Sequence, residues 1–165
     1  MRILGIDPGL ERTGYGVVEL PGGAGAPRLI EAGVVRTVRT ATLPERLAEI
    51  ASGLAAVIEE FRPQVMAVEE LYSHYGHPRT AILMGHARGV ILLTAAQAGV
   101  PVASYGATHI KKALVGSGHA SKEQMQRAIQ SHFGLKVAPE PPDVADALAV
   151  ALCHAYRTTR MVTMR

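Results

Sequence analysis

The apolar residues change their period near residue 42, and this change constrains the fold more than any other feature of the chain. Before it, short apolar segments bounded by turn residues predict strands over residues 2–7, 14–19 and 29–38. After it, apolar residues recur at helical spacing from Leu43 to Phe61, with Thr42 and Glu45 as a capping box. Two more strands are predicted over residues 64–69 and 101–105, and four more helices over residues 79–98, 108–115, 121–134 and 143–160.

This order of elements predicts an α/β fold built on one five-stranded mixed sheet. The three opening strands have short connections, so we expect them to be antiparallel. The two later strands need helical crossovers, so we expect them to be parallel, with helices on both faces of the sheet.

Length and composition predict one domain. The 165 residues are 48% hydrophobic and 19% charged, which is typical of a globular chain. We expect a single domain over residues 1–165, with a short tail after about residue 157. Cys153 is the single cysteine, no apolar run is long enough to span a membrane, and Met1-Arg2-Ile3 does not resemble a signal peptide. These features favour a cytoplasmic protein that is not inserted in a membrane.

Basic residues are concentrated in the middle of the chain. Residues 72–136 contain seven Lys and Arg against one acid, whereas residues 1–71 contain seven Arg against ten acids. A basic segment of this kind indicates a surface that binds a polyanion such as nucleic acid, although an ordinary solvated face would give the same count.

Four carboxylates predict a site for divalent metal ions. Asp7 ends a strongly apolar strand and Glu69 ends another, while Asp143 and Asp146 share one face at the start of the last helix. Each has an ordinary alternative, since a strand-end Glu is often solvated and paired acids often begin a helix. Together, however, oxygen ligands favour Mg²⁺, or Mn²⁺, and four of them suit two ions that act on a phosphodiester.

Three ordered motifs resemble those of the RuvC family, the bacterial Holliday-junction endonucleases. They are Gly5-Ile-Asp-Pro-Gly9 with Thr13-Gly-Tyr-Gly16, Ala67-Val-Glu69 followed by Tyr72, and Asp143-Val-Ala-Asp-Ala-Leu148. The segments Gly85-His-Ala-Arg-Gly-Val90 and His109-Ile-Lys-Lys-Ala-Leu-Val-Gly116 also match, so the resemblance covers about residues 2–156.

The resemblance implies a single RNase H-like nuclease domain that forms a homodimer. It implies metal-dependent, symmetric nicking of four-way DNA junctions in recombination and repair, with the RuvA and RuvB branch-migration proteins as partners. It carries metal ligation onto Asp7, Glu69, Asp143 and Asp146, although some relatives have His in the place of Asp143.

Five residues are candidates for DNA binding. Tyr72 lies three residues after Glu69, where an aromatic ring suits stacking on an unpaired base, and the family has an aromatic wedge at this position. Lys111 and Lys122 flank a glycine-containing loop, and the resemblance implies that they approach the scissile strand. Arg79 and Lys112 are interpreted as general phosphate contacts. The alternatives are an aromatic that packs on its own domain and lysines that are ordinary surface residues.

Three other functions remain open. Asp7-x-Gly9 followed by Thr13-Gly14 also fits the phosphate loop of actin-like and sugar-kinase type phosphotransferases, although these repeat the motif in a second domain. The other two are a related RNase H-like nuclease acting on structured RNA and an inactive junction-binding module.

The alternation of side chains along the strand cannot choose between Glu69 and Glu70 as the metal ligand, because apolar residues occupy both faces of their strand. The family pattern chooses Glu69.

Overall fold

The computed structural model describes residues 1–22, 25–71 and 78–163. Its strands are Arg2–Asp7 (β1), Arg12–Glu19 (β2), Arg28–Arg36 (β3), Val65–Glu69 (β4) and Val102–Tyr105 (β5). Its helices are Leu43–Phe61 (α1), Pro78–Gln97 (α2), Ala107–Val115 (α3), Lys122–Phe133 (α4) and Pro142–Thr163 (α5). The predicted order of strands and helices is therefore confirmed, with boundaries that differ by a few residues.

The described strands form one sheet in the order β3-β2-β1-β4-β5. The pairs β1–β2 and β2–β3 are antiparallel, whereas β1–β4 and β4–β5 are parallel. The mixed sheet that the sequence predicted is confirmed, and β1 lies at its centre, between the antiparallel and the parallel halves.

Helices cover both faces of the sheet, also as predicted. Alternate residues of β1 show this: Ile3 is buried together with α3, α4 and α5, whereas Leu4 and Ile6 are buried together with α1 and α2. Strand β4 is buried on both faces in the same way. The ends of these two central strands are thus held in place by two separate apolar layers.

Local signals set the ends of the helices. The carboxylate of Glu45 accepts a hydrogen bond of 2.7 Å from the Thr42 N–H, which begins α1, and Arg62 ends it in the left-handed conformation immediately before Pro63. Helix α4 begins in the same way, because Gln124 accepts a 2.8 Å hydrogen bond from the N–H of Ser121.

Helix α5 continues to Thr163, a few residues beyond its predicted end near residue 160. The hydroxyl of Thr158 donates 3.0 Å to the carbonyl of His154, one turn back in the helix, so its polar group is satisfied within the helix. Among the described residues, none of the helices has the length and apolar character that crossing a membrane requires.

Candidate active site

Asp7 and Glu69 lie side by side at the ends of adjacent strands. In the parallel register of β1 and β4, Ile6 is the partner of Val68, so Asp7 and Glu69 each follow one residue later. Because side chains alternate along a strand, both acids face the side of Ile3, which is the side covered by α5. Glu70 points away from them and is exposed. Of the two adjacent acids between which alternation could not choose, Glu69 is therefore the one on the same face as Asp7, in agreement with the family pattern.

The two remaining acids come to the same edge on α5. Asp143 lies in the first turn of this helix, and Asp146 follows three residues later on the same face. Both are partly buried. The helix begins at Pro142, one residue before Asp143, so Asp143 is inside the first turn rather than at the N-cap.

The four carboxylates repel one another in a poorly solvated place. Burial, and then the negative charges of Asp146, Glu69 and Asp143, raise the pKa of Asp7 from 3.8 to about 8. Burial followed by the charge of Asp146 raises the pKa of Glu69, and burial raises the pKa of Asp146. The structure therefore brings together the four acids that the sequence selected, in a setting that favours a cation or a bound proton.

Two lysines and an arginine partly balance this charge. Lys122 Nζ lies 3.6 Å from Asp146 Oδ2, and Arg12 Nε lies 3.5 Å from Asp143 Oδ2. Lys111 lowers the pKa of both Glu69 and Asp146, and it lines a small cavity of about 60 Å³ with them. Arg12 was not selected from the sequence, since an arginine at the start of a strand gives no signal of such a partner.

The arrangement fits divalent metal ions in its charge and its ligand chemistry. Asp7 is mostly removed from water, and within the described residues no Lys, Arg or His forms a salt bridge with Asp7 or Glu69. Hard oxygen donors at such a place suit Mg²⁺ or Mn²⁺. In the same described ranges, no group of three or more acidic, histidine or cysteine side chains is already arranged to hold an ion. Asp143 and Asp146 are instead turned to Arg12 and Lys122, which a bound metal would have to replace.

Arg88 is a second residue that the sequence did not assign to the site. Its Nη2 donates a hydrogen bond of 2.9 Å to the Ser104 hydroxyl, and its Nε donates one of 3.4 Å to the main-chain carbonyl of Glu69. A side chain on α2 thus links the end of β4, at Glu69, to β5. The signal for it was present, since Arg88 lies within the segment from Gly85 to Val90 that resembles the family pattern.

The other predicted DNA-binding residues lie further out. Arg79 is exposed in the first turn of α2, and Lys112 is exposed on α3. Within the part of the chain that the structure describes, neither forms a salt bridge with the four acids. Tyr72 lies outside the described residues. A larger groove of about 740 Å³, between β3 and residues 135–140, is separate from the carboxylates and contains none of the predicted residues.

The fold and the site define a class of protein. A sheet in the order β3-β2-β1-β4-β5 with carboxylates at the ends of its central strands is an RNase H-like nuclease fold. A family model described as "Crossover junction endodeoxyribonuclease RuvC" matches residues 3–154. The chain belongs to the RuvC family, whose members are metal-dependent nucleases.

Close relatives and solved structures agree. The chain is 54% identical over 156 residues to the crossover junction endodeoxyribonuclease RuvC of Rhodopirellula baltica, covering 93% of this chain and 85% of the relative. It is 43% identical to Thermus thermophilus RuvC, with a TM-score of 0.87 and coverage of 99% and 98%. It is also 42% identical to the chain in the structure of T. thermophilus RuvC in complex with Holliday junction substrate, with a TM-score of 0.89. This match covers 99% of the present chain and 97% of the other.

Proposed function

We propose that this chain is a Holliday-junction resolvase, which cuts four-way DNA junctions by paired symmetric nicks during recombination and repair. The observation that carries the proposal is the group of four acids at one edge of the sheet, with the pKa of Asp7 raised to about 8. The likeness to a RuvC solved in complex with Holliday junction substrate, over 99% of this chain, supplies the substrate class. We further propose one nuclease domain over residues 1–165, acting in the cytoplasm.

The metal ions would be held by Asp7, Glu69, Asp143 and Asp146. We propose Mg²⁺, with Mn²⁺ as a substitute, and two ions in each site, because four carboxylates are more than one Mg²⁺ usually takes from protein. Bound there, such ions would stabilise both the attacking and the leaving oxygen of the phosphodiester. The protein itself would supply the four oxygen ligands, and burial keeps most water away from Asp7.

Lys122 would exchange one negative partner for another. In the structure its ammonium is paired with Asp146 at 3.6 Å, in the first turn of α4. If Asp146 bound a metal ion, the ammonium would be left at the N-terminus of α4, where a cation is unfavourable and a phosphate is favourable. Lys122 and Lys111 then suit the phosphates of the scissile strand. Arg79 and Lys112 suit phosphates further along the arms of the junction.

Tyr72 completes the proposed DNA interface. It follows Glu69, the last residue of β4, by three residues in the sequence. We propose that its ring stacks on a base opened at the crossover, which would make cutting depend on junction structure rather than on duplex DNA.

We propose helix α2 as the interface of a homodimer. Its outer side exposes Ile82 and Leu93, whose surfaces are 63% and 55% accessible. A Cβ atom on Gly85 or Gly89 would meet nothing within 4 Å, so these glycines are not needed for packing inside the chain. Two copies joined through this face would bring two active sites to one junction, as paired nicks require. RuvA and RuvB are proposed as partners on the family resemblance alone.

One cleavage assay tests the function and separates it from the alternatives. Labelled four-way junction, duplex DNA, structured RNA and ATP are each incubated with the protein in Mg²⁺ or in EDTA. We expect symmetric nicks in the junction alone, and only with metal. Cutting confined to RNA, or phosphate transfer from ATP, would replace the proposal by one of the other functions.

Two adjacent acids provide a matched pair of variants in the same assay. Glu69→Gln should lower the single-turnover rate by orders of magnitude, because it removes a metal-ligand charge at the edge shared with Asp7. Glu70→Gln changes an exposed acid on the opposite face and should lower the rate far less. An inactive Glu70→Gln beside an active Glu69→Gln would contradict the assignment of this edge of the sheet.

A further inference from the structure

Gly14 is next to both elements that carry the acids, the central strand β1 and the first turn of α5. It is the antiparallel partner of Asp7 across β1 and β2. A Cβ atom on Gly14 would lie 2.6 Å from the carbonyl carbon of Asp143 and would overlap its carbonyl oxygen. These are main-chain atoms in the first turn of α5, so they cannot rotate away as the end of a side chain can. The helix reaches this part of the sheet because position 14 has no side chain.

A second glycine on the same strand makes a different contact. Gly16 lies two residues further along β2 and faces the same side. A Cβ atom there would meet mainly the Leu148 side chain, 2.6 Å from Cδ2 and 2.9 Å from Cγ, and the nearest main-chain atom, Leu148 Cα, would be 3.3 Å away. A side chain can adjust by changing its rotamer, whereas the main chain of Asp143 can yield only if the helix itself moves. The two glycines therefore differ in what they hold in place.

We propose that Gly14 is a positioning residue for the metal site. It sets the separation at which Asp143, and Asp146 one turn later, face Asp7. The inference rests on the proposed function, because this separation matters only if the acids share metal ions. A side chain at position 14 would lift the first turn of α5 from the sheet and part the carboxylates, while the strands and the rest of the helix keep their places. Mg²⁺ tolerates such a change poorly, because it requires near-ideal octahedral geometry.

The test compares full-length Gly14→Ala and Gly16→Ala with the wild type. The first measurement is the rise in unfolding temperature that Mg²⁺ or Mn²⁺ produces, which reads the site without any cleavage. The others are the cleavage rate at saturating metal and junction binding in Ca²⁺. We expect Gly14→Ala to fold and to bind the junction, but to lose most of the metal-dependent rise and about a hundredfold in rate. Gly16→Ala is expected to be less stable, yet to keep the wild-type response to metal.

A compensating variant separates positioning from general packing. Asp146→Glu adds one methylene group, which should impair the wild type but restore part of the metal response to Gly14→Ala. Equal losses in the two glycine variants, or a Gly14→Ala protein that responds to metal like the wild type, would overturn the proposal. So would a Gly14→Ala chain that does not fold while Gly16→Ala does, since the glycine would then serve the whole fold. A wild-type protein that no metal stabilises and that cuts no junction would instead contradict the proposed function.

Discussion

Replacing Asp7 by Asn should stabilise the metal-free protein and abolish its cleavage. Burial and the charges of Asp146, Glu69 and Asp143 raise the pKa of Asp7 from 3.8 to about 8. The folded protein therefore keeps a proton that the unfolded chain releases between these two pH values. The corresponding stability is fully present below about pH 4 and is lost as the pH rises towards 8. Asn has a similar shape and does not titrate, so it escapes this loss.

The size of the effect follows from the same pKa. Each pKa unit corresponds to about 1.4 kcal/mol, so between pH 5 and pH 8 the wild type can lose at most roughly 4 kcal/mol relative to Asp7→Asn. Water reaches part of this carboxylate, and the interior of a protein responds to charge more strongly than a dry medium does. We therefore compare the difference in free energy of unfolding between Asp7→Asn and the wild type at the two pH values. This difference should be larger at pH 8 than at pH 5 by about 1–3 kcal/mol, in favour of the variant.

The assay is urea unfolding followed by circular dichroism, in EDTA, at pH 5 and pH 8 and at one protein concentration. Glu11→Gln is the control, because Glu11 is an exposed acid four residues away that pairs with Arg39 at 3.6 Å. This variant keeps Asp7, so its free energy of unfolding should fall between pH 5 and pH 8 as that of the wild type does. Added Mg²⁺ should stabilise the wild type and leave Asp7→Asn unaffected, while junction binding by the variant is kept or strengthened. If the wild type and Asp7→Asn show the same pH dependence in EDTA, burial and repulsion at this site have been misjudged.

Three other variants test the DNA-binding and positioning residues. Lys122→Ala should slow cleavage and make the log–log salt slope of junction binding shallower by about one, whereas Lys136→Ala, at an exposed position away from the acids, should leave the cleavage rate unchanged. Arg88→Met should lower the single-turnover cleavage rate by about tenfold with little change in junction affinity, because it removes the hydrogen bond to the end of the strand that carries Glu69. Partial recovery of the rate in Arg88→Lys would support this reasoning. An unchanged rate in Arg88→Met would show that Arg88 serves only in packing. Tyr72→Ala should lower the cleavage rate far more than it weakens junction binding. A wild-type cleavage rate in this variant would contradict the proposed stacking of Tyr72 on a base.

The parts of the fold that could be predicted are those that depend on local pattern. Strand β1 was predicted with its observed bounds, since its apolar residues end at Pro8-Gly9. Helix α1 begins at its predicted capping box and ends before Pro63. The end of α5 was predicted near residue 160, a few residues short of Thr163, because the last turns of the helix contain neither a Gly nor a Pro to mark its end.

The face of Glu69 could not be read from alternation, for a physical reason. Strand β4 lies between two apolar layers, so Val65 and Ala67 are as buried as Met66 and Val68. A strand buried on both faces has no polar side to reveal its orientation. The resemblance supplied what the pattern could not, and the register with β1 agrees with it.

The separation of the acids depends on contacts between distant parts of the chain. Asp7 and Asp146 are far apart in sequence, and they meet because α5 packs on the central strands where these have glycines. A Cβ atom on Gly5 would overlap the main chain of Ala147, and one on Gly14 would overlap that of Asp143. Gly5 and Gly14 belong to the motif that was recognised because it contains Asp7. What these two glycines do is to let α5 pack closely against β1 and β2. A sequence pattern shows which acids a nuclease has, whereas the residues that bring them together become visible only once the helix is placed against the sheet.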